Sequence, residues 1–420
     1  MRITEESKVF ILAPVKENDS IENRISNLVK MQPLEPFESV ILEFISELSR
    51  RILSNNLYRR YPELIALAFW MRKSHLKNLE EQYLEMRRGR LLVPRGVVLH
   101  FAPSNVDSIF IYSWFISLLV GNSNIVRVSQ QRGEQINILI DLLSDLLSEE
   151  NFKVIQDRTA IITYPHNEDI TRFLSENCNT RVIWGGDETI KRIRSVPLRA
   201  NATEMVFADK YSLSAIDARA LLELSNTELN QIAQNFYNDA YWFDQMACSS
   251  PRLIIWSGVE IEIERAKALF WDTVEQIVSE KQEKLNPSVG MTKLVTGYQY
   301  SAKGFFNRLS TNSTQGTYRA DLKSLDLPFR EIHCGGGFFL ESHVENILEM
   351  VDFVDIKDQT LSVFGFSEEE LRKLVQVVRG RGIDRIVSIG QSLNFDNVWD
   401  GYNLFENFSK EITIKLQSKE

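Results

Sequence analysis

The run Phe243-Asp244-Gln245-Met246-Ala247-Cys248-Ser249-Ser250-Pro251 contains the thiol best placed to do chemistry. Cys248 falls where a long amphipathic helix gives way to an apolar strand over 253–256 (LIIW), a junction that can hold a side chain firmly while leaving it open to a ligand. A thiolate there would attack a carbonyl and carry the acyl group on sulfur as a thioester. The competing reading is a small apolar side chain in the interior, because free cysteine is among the most buried residue types. Gln245, Ser249 and Ser250 make the surroundings polar, Pro251 stops the helix, and no Lys or His adjoins the thiol in sequence. Cys178 ends a polar helix and Cys334 precedes three glycines, so neither has comparable surroundings.

Other side chains could serve such a thioester. Asn105, in Ala102-Pro103-Ser104-Asn105-Val106, puts a carboxamide at the end of a strand and the start of a buried helix. It reads either as a helix cap or as an N–H donor to the oxyanion formed during attack on a carbonyl. Trp184-Gly185-Gly186-Asp187-Glu188 also joins a strand to a helix, where backbone N–H groups can meet a phosphate. It is not GxGxxG, and its two acids also suit the helix dipole without any ligand. Arg127 and Ser129 leave the strand NIVRVS, and Arg127 is compatible with a ribose phosphate. Glu204 and Glu331 are candidate general bases that sequence does not separate from surface carboxylates. Gly335-Gly336-Gly337 and Gly380-Arg381-Gly382 read as chain turns. Five histidines without HxxxH or HExxH spacing give no metal site.

The elements that must position these groups follow from periodicity. Residues 1–90 read as mainly helical, with Val40, Ile41, Phe44, Ile45 and Leu48 on one face, and 83–90 as a charged connector. From 96 onward, strands at 96–101, 124–129, 159–164 and 181–184 alternate with helices at 106–119, 134–147, 168–176 and 188–195. That alternation predicts βαβ units and a parallel sheet whose ligands gather at the carboxyl ends of its strands. A second region starts near Tyr211. There Ser225-Asn226-Thr227-Glu228 forms a capping box, and the helix it opens leads to Cys248. Residues 284–318 read as loop-rich, alternating elements resume to about 390, and EITIKL (411–416) reads as a terminal strand of the kind that pairs with a neighbouring subunit.

A chain of 420 residues is long enough for two or three domains, and 44% apolar with 25% charged residues fits a globular protein. A net charge of −9 with interspersed signs argues against nucleic acid, and three scattered cysteines fit free thiols in a reducing cytoplasm. The most apolar run, 109–120, is too short to span a bilayer, and the first residues lack signal-peptide order.

Six stretches in order, HFAPSNV (100–106), GNSNIVRVS (121–129), WGGDETIKRIR (184–194), FADKYS (207–212), DQMACSSP (244–251) and GIDRIVSIGQSLNFDNVWDGYNL (382–404), resemble the acyl-CoA reductases of the LuxC-like long-chain fatty acid reductase family, a branch of the aldehyde dehydrogenase superfamily. The likeness covers about three-quarters of the chain; the first ninety residues carry no signature. It implies an α/β, aldehyde dehydrogenase-like fold: N-terminal helices and a Rossmann-type dinucleotide-binding domain over 1–210, an α/β catalytic domain over 211–390, and a 391–420 segment returning to the cofactor domain with a small oligomerisation strand. It implies Cys248 as the acylated cysteine and Asn105 as oxyanion donor, from the superfamily's Pro-x-Asn. Arg127 stands where dehydrogenases usually have a lysine at the adenosine ribose, and Gly186-Asp187 match Thr-Gly-Ser with Asp for Ser. Gly185, Gly186, Asp187, Arg127 and Ser129 would then hold NADPH.

The superfamily's Glu-Leu-Gly-Gly-Lys stands here as Val206-Phe207-Ala208-Asp209-Lys210, so the glutamate that activates hydrolytic water is absent from its usual place. That favours reduction over oxidation, although Glu204 is two residues away. The expected activity is therefore cytoplasmic, NADPH-dependent reduction of a long-chain acyl-CoA, or of an acyl group from a partner synthetase, to a fatty aldehyde by a homo-oligomer. The alternatives are an aldehyde dehydrogenase acting oxidatively, or on a shorter or phosphorylated acyl substrate, and a non-catalytic subunit docking an acyl-transfer partner.

Overall fold

Apolar strands alternating with helices build two predominantly parallel sheets, each in its own unit of the computed structural model, which describes residues 9–15, 20–103, 108–281, 287–311 and 316–416. One unit comprises the chain up to Ala208 together with the segment from Phe395 onward; the other spans Asp209–Asn394.

In the first unit the sheet order is Phe10–Ala13, Thr159–Thr163, Ser123–Arg127, Val97–Phe101, Thr180–Trp184, Thr203–Phe207. The edge strand Phe10–Ala13 is antiparallel and all other neighbours are parallel. Every residue along Val97–Phe101, Thr159–Thr163 and Thr180–Trp184 is buried because both faces of these strands are covered, and the runs are mostly apolar, with His100, Thr159, Thr163, Thr180 and Arg181 the polar exceptions. The chain runs outward from Val97–Phe101 to one side, then returns to lay Thr180–Trp184 on the other. The switch point therefore lies between the carboxyl ends of these two strands, at Ala102 and Gly185.

The intervening helices fall where their periodicity places them: Glu134–Leu147 and Glu168–Glu176 match residue for residue, and Ile109–Leu119 is buried almost all round. Four helices, Ile21–Lys30, Ser39–Ser54, Pro62–Trp70 and Lys73–Met86, make up most of the N-terminal stretch. The last of these takes in much of the expected charged connector, because Leu76, Leu79 and Tyr83 give it a buried stripe. The terminal strand is Ser409–Ile412, and it pairs antiparallel with Leu91–Pro94 of the same chain.

The core of this unit contains an ionisable link. Trp184 Nε1–H donates to Ser113 Oγ at 3.1 Å, Ser113 Oγ lies 2.8 Å from His100 Nδ1, and His100 Nε2 lies 3.0 Å from Asn124 Oδ1. Since Asn124 Oδ1 only accepts, Nε2 carries the proton and Nδ1 accepts from Ser113, which satisfies a neutral ring. Burial holds His100 down to about 4, so the unfolded chain takes up a proton near 6.5 while the folded chain resists. Between those values the unfolded state binds more protons, and stability falls as pH falls. The gap corresponds to about 3 kcal/mol. Unfolding midpoints measured from pH 7 to pH 4.5 should drop, and His100→Gln should flatten that slope. An equally steep slope in the variant would assign it to other groups.

In the second unit the order is Phe306–Thr311, Tyr318–Leu322, Phe338–Val344, Pro251–Ser257, Tyr211–Asp217, Asp358–Phe364, Arg385–Ser388, with only the first pair antiparallel. The capping box at Ser225 and Glu228 is formed, and the helix Asn226–Tyr241 packs Ala233, Phe236, Tyr237 and Ala240 against Trp256, Phe270 and Phe339. The stretch expected to be loop-rich instead holds the helix Pro287–Ala302 and the strand Phe306–Thr311. Gly297 lies inside that helix because it packs close to the sheet: a Cβ there would sit 3.2 Å from Leu309.

Candidate active site

The chain between the helix Asn226–Tyr241 and the strand Pro251–Ser257 is a tight loop, and Cys248 sits on it, partly exposed. Two consecutive non-glycine residues, Asp244 and Gln245, take left-handed φ values of 49° and 59°. Such backbone costs about 1 kcal/mol or more per residue and persists only where its surroundings hold it. The Gln245 side chain holds it. Fully buried, it donates to Pro251 O at 2.9 Å and Phe338 O at 3.1 Å, and accepts from the N–H groups of Gly337 and Phe338 at 3.0 Å each.

From the other side, Gly336 N donates to Asp244 O at 2.7 Å, and His333 Nε2 donates to Gln245 O at 2.9 Å. Burial keeps the His333 imidazole down near 3, neutral and fixed as a donor. The three glycines are thus more than a turn. A Cβ on Gly335 would lie 2.4 Å from Asp244 O, and one on Gly337 2.8 Å from the Tyr241 ring. Only glycine lets this segment approach the cysteine loop so closely.

Cys248 itself is held at both ends. Its carbonyl accepts from Ser212 Oγ at 2.6 Å, and its sulfur accepts from Gln359 Nε2 at 3.5 Å. Arg252, buried four residues on, donates to Lys210 O at 3.4 Å and lies over the Tyr211 ring, while its Nε has no partner among the described residues. Burial pulls the pKa of Arg252 down, and the neighbouring Tyr211 and Cys248 oppose that shift. The other thiols are disfavoured as thiolates: burial pushes Cys178 up to about 12 and raises Cys334 as well.

In the first unit the expected cofactor residues collect at the carboxyl ends of the parallel strands. Gly185 and Gly186 follow Thr180–Trp184 and precede the helix Asp187–Arg194, and space is open beside Gly186 where a Cβ would be. Arg127 ends its strand, donating to Tyr164 O at 3.3 Å with its guanidinium over the Tyr164 ring. Burial lowers its pKa, and Arg192 close by lowers it further; burial first, and then both arginines, lower that of His166. This positive cluster suits a phosphate, and the open glycine suits close approach of a dinucleotide. Ser129 lies two residues beyond Arg127, partly exposed. Asn105 lies outside the described residues. Among the described residues no group of three His, Cys, Asp or Glu could hold a metal ion.

The model of the family described as acyl-CoA reductase (LuxC) matches residues 22–410. The chain belongs to the LuxC acyl-CoA reductase family. A search of curated proteins gives no match. Solved structures share the aldehyde dehydrogenase fold at low identity. A NAD-dependent benzaldehyde dehydrogenase from Corynebacterium glutamicum is similar at TM-score 0.62 and 9% identity, over 93% of this chain and 87% of that one. An aldehyde dehydrogenase from Bacillus cereus, solved with NAD+, gives 0.65 and 11%, over 95% and 89%. An oxidoreductase from Marinobacter aquaeolei gives 0.66 and 10%, over 94% and 89%. The chain therefore has the aldehyde dehydrogenase-like α/β fold that its motifs imply.

Within this LuxC-family protein the candidate bases fare differently. Glu204 is bound by Arg181, Nε to Oε2 at 2.7 Å, and by Arg194 at 3.0 Å, so its carboxylate is occupied by two guanidiniums. Val206, where dehydrogenases carry the glutamate, packs on the apolar core. Glu331 is exposed. Sequence reasoning missed Gln359, whose signal was a lone polar amide in the buried run DQTLSVF, and treated Gln245 only as part of a polar neighbourhood.

Proposed function

We propose that this protein reduces a long-chain fatty acyl thioester to the aldehyde with NADPH, carrying the acyl group on Cys248. The observation that carries the reading is the immobilised loop, which keeps Cys248 partly exposed with its sulfur beside an amide donor, while burial disfavours the other two thiolates. The Cys248 thiolate attacks the carbonyl of an acyl-CoA, or of an acyl group delivered by a partner synthetase, and the carrier thiol leaves. Asn105 is the side-chain donor to the oxyanion in this reading, from its place in Pro103-Ser104-Asn105.

A reduced nicotinamide supplies hydride when bound. Gly185, Gly186, Asp187, Arg127 and Ser129 are the residues we assign to holding it, and the Arg127–Arg192 pair supports a 2′-phosphate and hence NADPH. Once the thioester carbonyl is reduced, the carbon–sulfur bond breaks and Cys248 returns as thiolate. The occupied Glu204 and the apolar Val206 support reduction, since neither offers a free carboxylate to activate hydrolytic water.

The test is intact-mass spectrometry of the full chain with acyl-CoAs of several lengths and no NADPH, then with NADPH and with NADH. One acyl adduct mapped to Cys248, greatest with long chains and discharged as aldehyde faster with NADPH, is expected. Absence of any adduct would replace the reading by a docking subunit, and hydrolysis of the adduct to free acid with no aldehyde formed from either reduced nicotinamide would replace it by an oxidative dehydrogenase.

A further inference from the structure

We propose that Gln359 is a catalytic residue: its side-chain N–H, oriented through Thr360 and Arg385, stabilises the Cys248 sulfur as a thiolate. The inference rests on Cys248 being the acyl carrier.

Gln359 is 2% exposed on the strand Asp358–Phe364, and its Nε2 lies 3.5 Å from Cys248 Sγ. Which end of the amide faces sulfur is decided by its neighbours. A guanidinium has only donors, so Arg385 Nη2 donates to Thr360 Oγ1 at 3.4 Å. The Thr360 hydroxyl proton is then directed to Gln359 Oε1, 3.5 Å away. With its oxygen accepting, Gln359 presents its N–H groups to the sulfur. Every donor in the series Arg385, Thr360, Gln359 points toward Cys248, and each bond polarises the next.

Both ends of the series are anchored. Arg385 also donates to Asn394 O at 2.6 Å and to Ser392 O, and Gln359 follows Asp358, a buried carboxylate gripped by Arg330 at 2.7 and 2.6 Å. The same strand fixes the other end of the cysteine: Thr360 N donates to Ser212 Oγ at 3.2 Å, and Ser212 Oγ donates to Cys248 O at 2.6 Å. Two adjacent residues thus control the carbonyl and the sulfur of Cys248.

A thiolate accepts such a bond far more strongly than a thiol or a thioester does, so the donor favours the charged sulfur wherever it occurs. It occurs twice in the reaction. In acylation the thiolate forms its bond to the acyl carbon and the carrier thiolate departs, taking a proton from water. In reduction, hydride from the reduced nicotinamide, which is thereby oxidised, adds to that carbon; the carbon–sulfur electron pair then returns to Cys248 as aldehyde leaves. One neutral amide serves as stabiliser of both nucleophile and leaving group.

The test measures the pH dependence of iodoacetamide alkylation at Cys248, located by digestion and mass, in the full chain and in Gln359→Met, Gln359→Glu and Thr360→Val. A hydrogen bond to a charged group corresponds to about one to two pH units, so Gln359→Met should raise the alkylation midpoint by that amount. Gln359→Glu, placing a carboxylate beside the sulfur, should raise it further. Thr360→Val should move it the same way by less. An unmoved midpoint in folded Gln359 variants overturns the inference. If neither variant folds, a wild-type midpoint at or above the ordinary value of about 8.5 overturns it instead. Acyl labelling is scored separately: a shifted alkylation profile in a protein that takes no acyl group supports Gln359 as thiolate donor and removes the acyl-carrier reading.

Discussion

Cys248→Ala should eliminate acyl labelling and aldehyde formation together, lowering turnover by about 10⁴-fold or more, as expected when a covalent nucleophile is removed. The change tests chemistry rather than folding. The side chain is partly exposed, and the contact that fixes this residue to the sheet, Ser212 Oγ to the carbonyl of 248, uses backbone that alanine retains. Gln245 and the glycine segment that shape the loop do not touch the sulfur in doing so. The unfolding midpoint should therefore move by about 1 kcal/mol or less, the usual range for a small truncation outside the core. Cys248→Ser separates shape from nucleophilicity: it keeps an atom opposite Gln359, but its hydroxyl is a far weaker nucleophile at neutral pH and should also fail to label. Nicotinamide absorbance and intact mass read the two effects. Full reductase turnover in Cys248→Ala would end the thioester reading, and loss of turnover with persistent labelling would move the acyl group to another residue.

The frame of this site was legible in the sequence because local patterns agreed with one another. The capping box at Ser225, the apolar stripe ending at Ala240 and the proline at 251 marked a helix, a break and a strand, and these elements are present. Strands alternating with helices marked a parallel sheet, and GVVLHF (96–101) and RVIW (181–184) fall on two of its fully buried strands. Two kinds of feature were not legible. Pro287–Ala302 read as loop because glycine and polar residues dilute its apolar stripe, yet Lys293, Gly297 and Tyr300 are the buried positions that seat it. The partners of Cys248 lie far away in sequence, with Ser212 36 positions before it and Gln359 111 after it. Only sheet register, which sets Ser212 beside Pro251 and Leu213 beside Leu361, brings them to one place. Gln245 was visible as polar, but its four backbone bonds depend on a positive φ that no periodicity reports.

Gln245→Leu follows from that last point and should be the most destabilising single change near the site. Leucine fills a similar volume but takes the carboxamide away from Pro251 O, Phe338 O and Gly337 N, and leaves Phe338 N with only its 3.3 Å bond to Gly335 O. Each buried backbone group stripped of its partner costs about 1–3 kcal/mol. The four share one side chain and relax together, so a total of about 4 kcal/mol is expected, a large part of the stability of a typical domain. The left-handed backbone at Asp244 and Gln245 would then lack the bonds that offset its strain, and the loop should relax toward ordinary φ, moving Cys248 away from Ser212 and Gln359. Gln245→Glu distinguishes the donor half from the acceptor half: its oxygens can still accept from Gly337 and Phe338, but they face two carbonyls that previously received N–H. It should be destabilised almost as much. Denaturant unfolding combined with acyl labelling at a temperature where the variant remains folded decides the matter. The expected result is a lowered midpoint together with at least a tenfold loss of labelling. An unchanged midpoint would mean that water or rearranged backbone can replace the carboxamide, and that the loop holds its shape without Gln245.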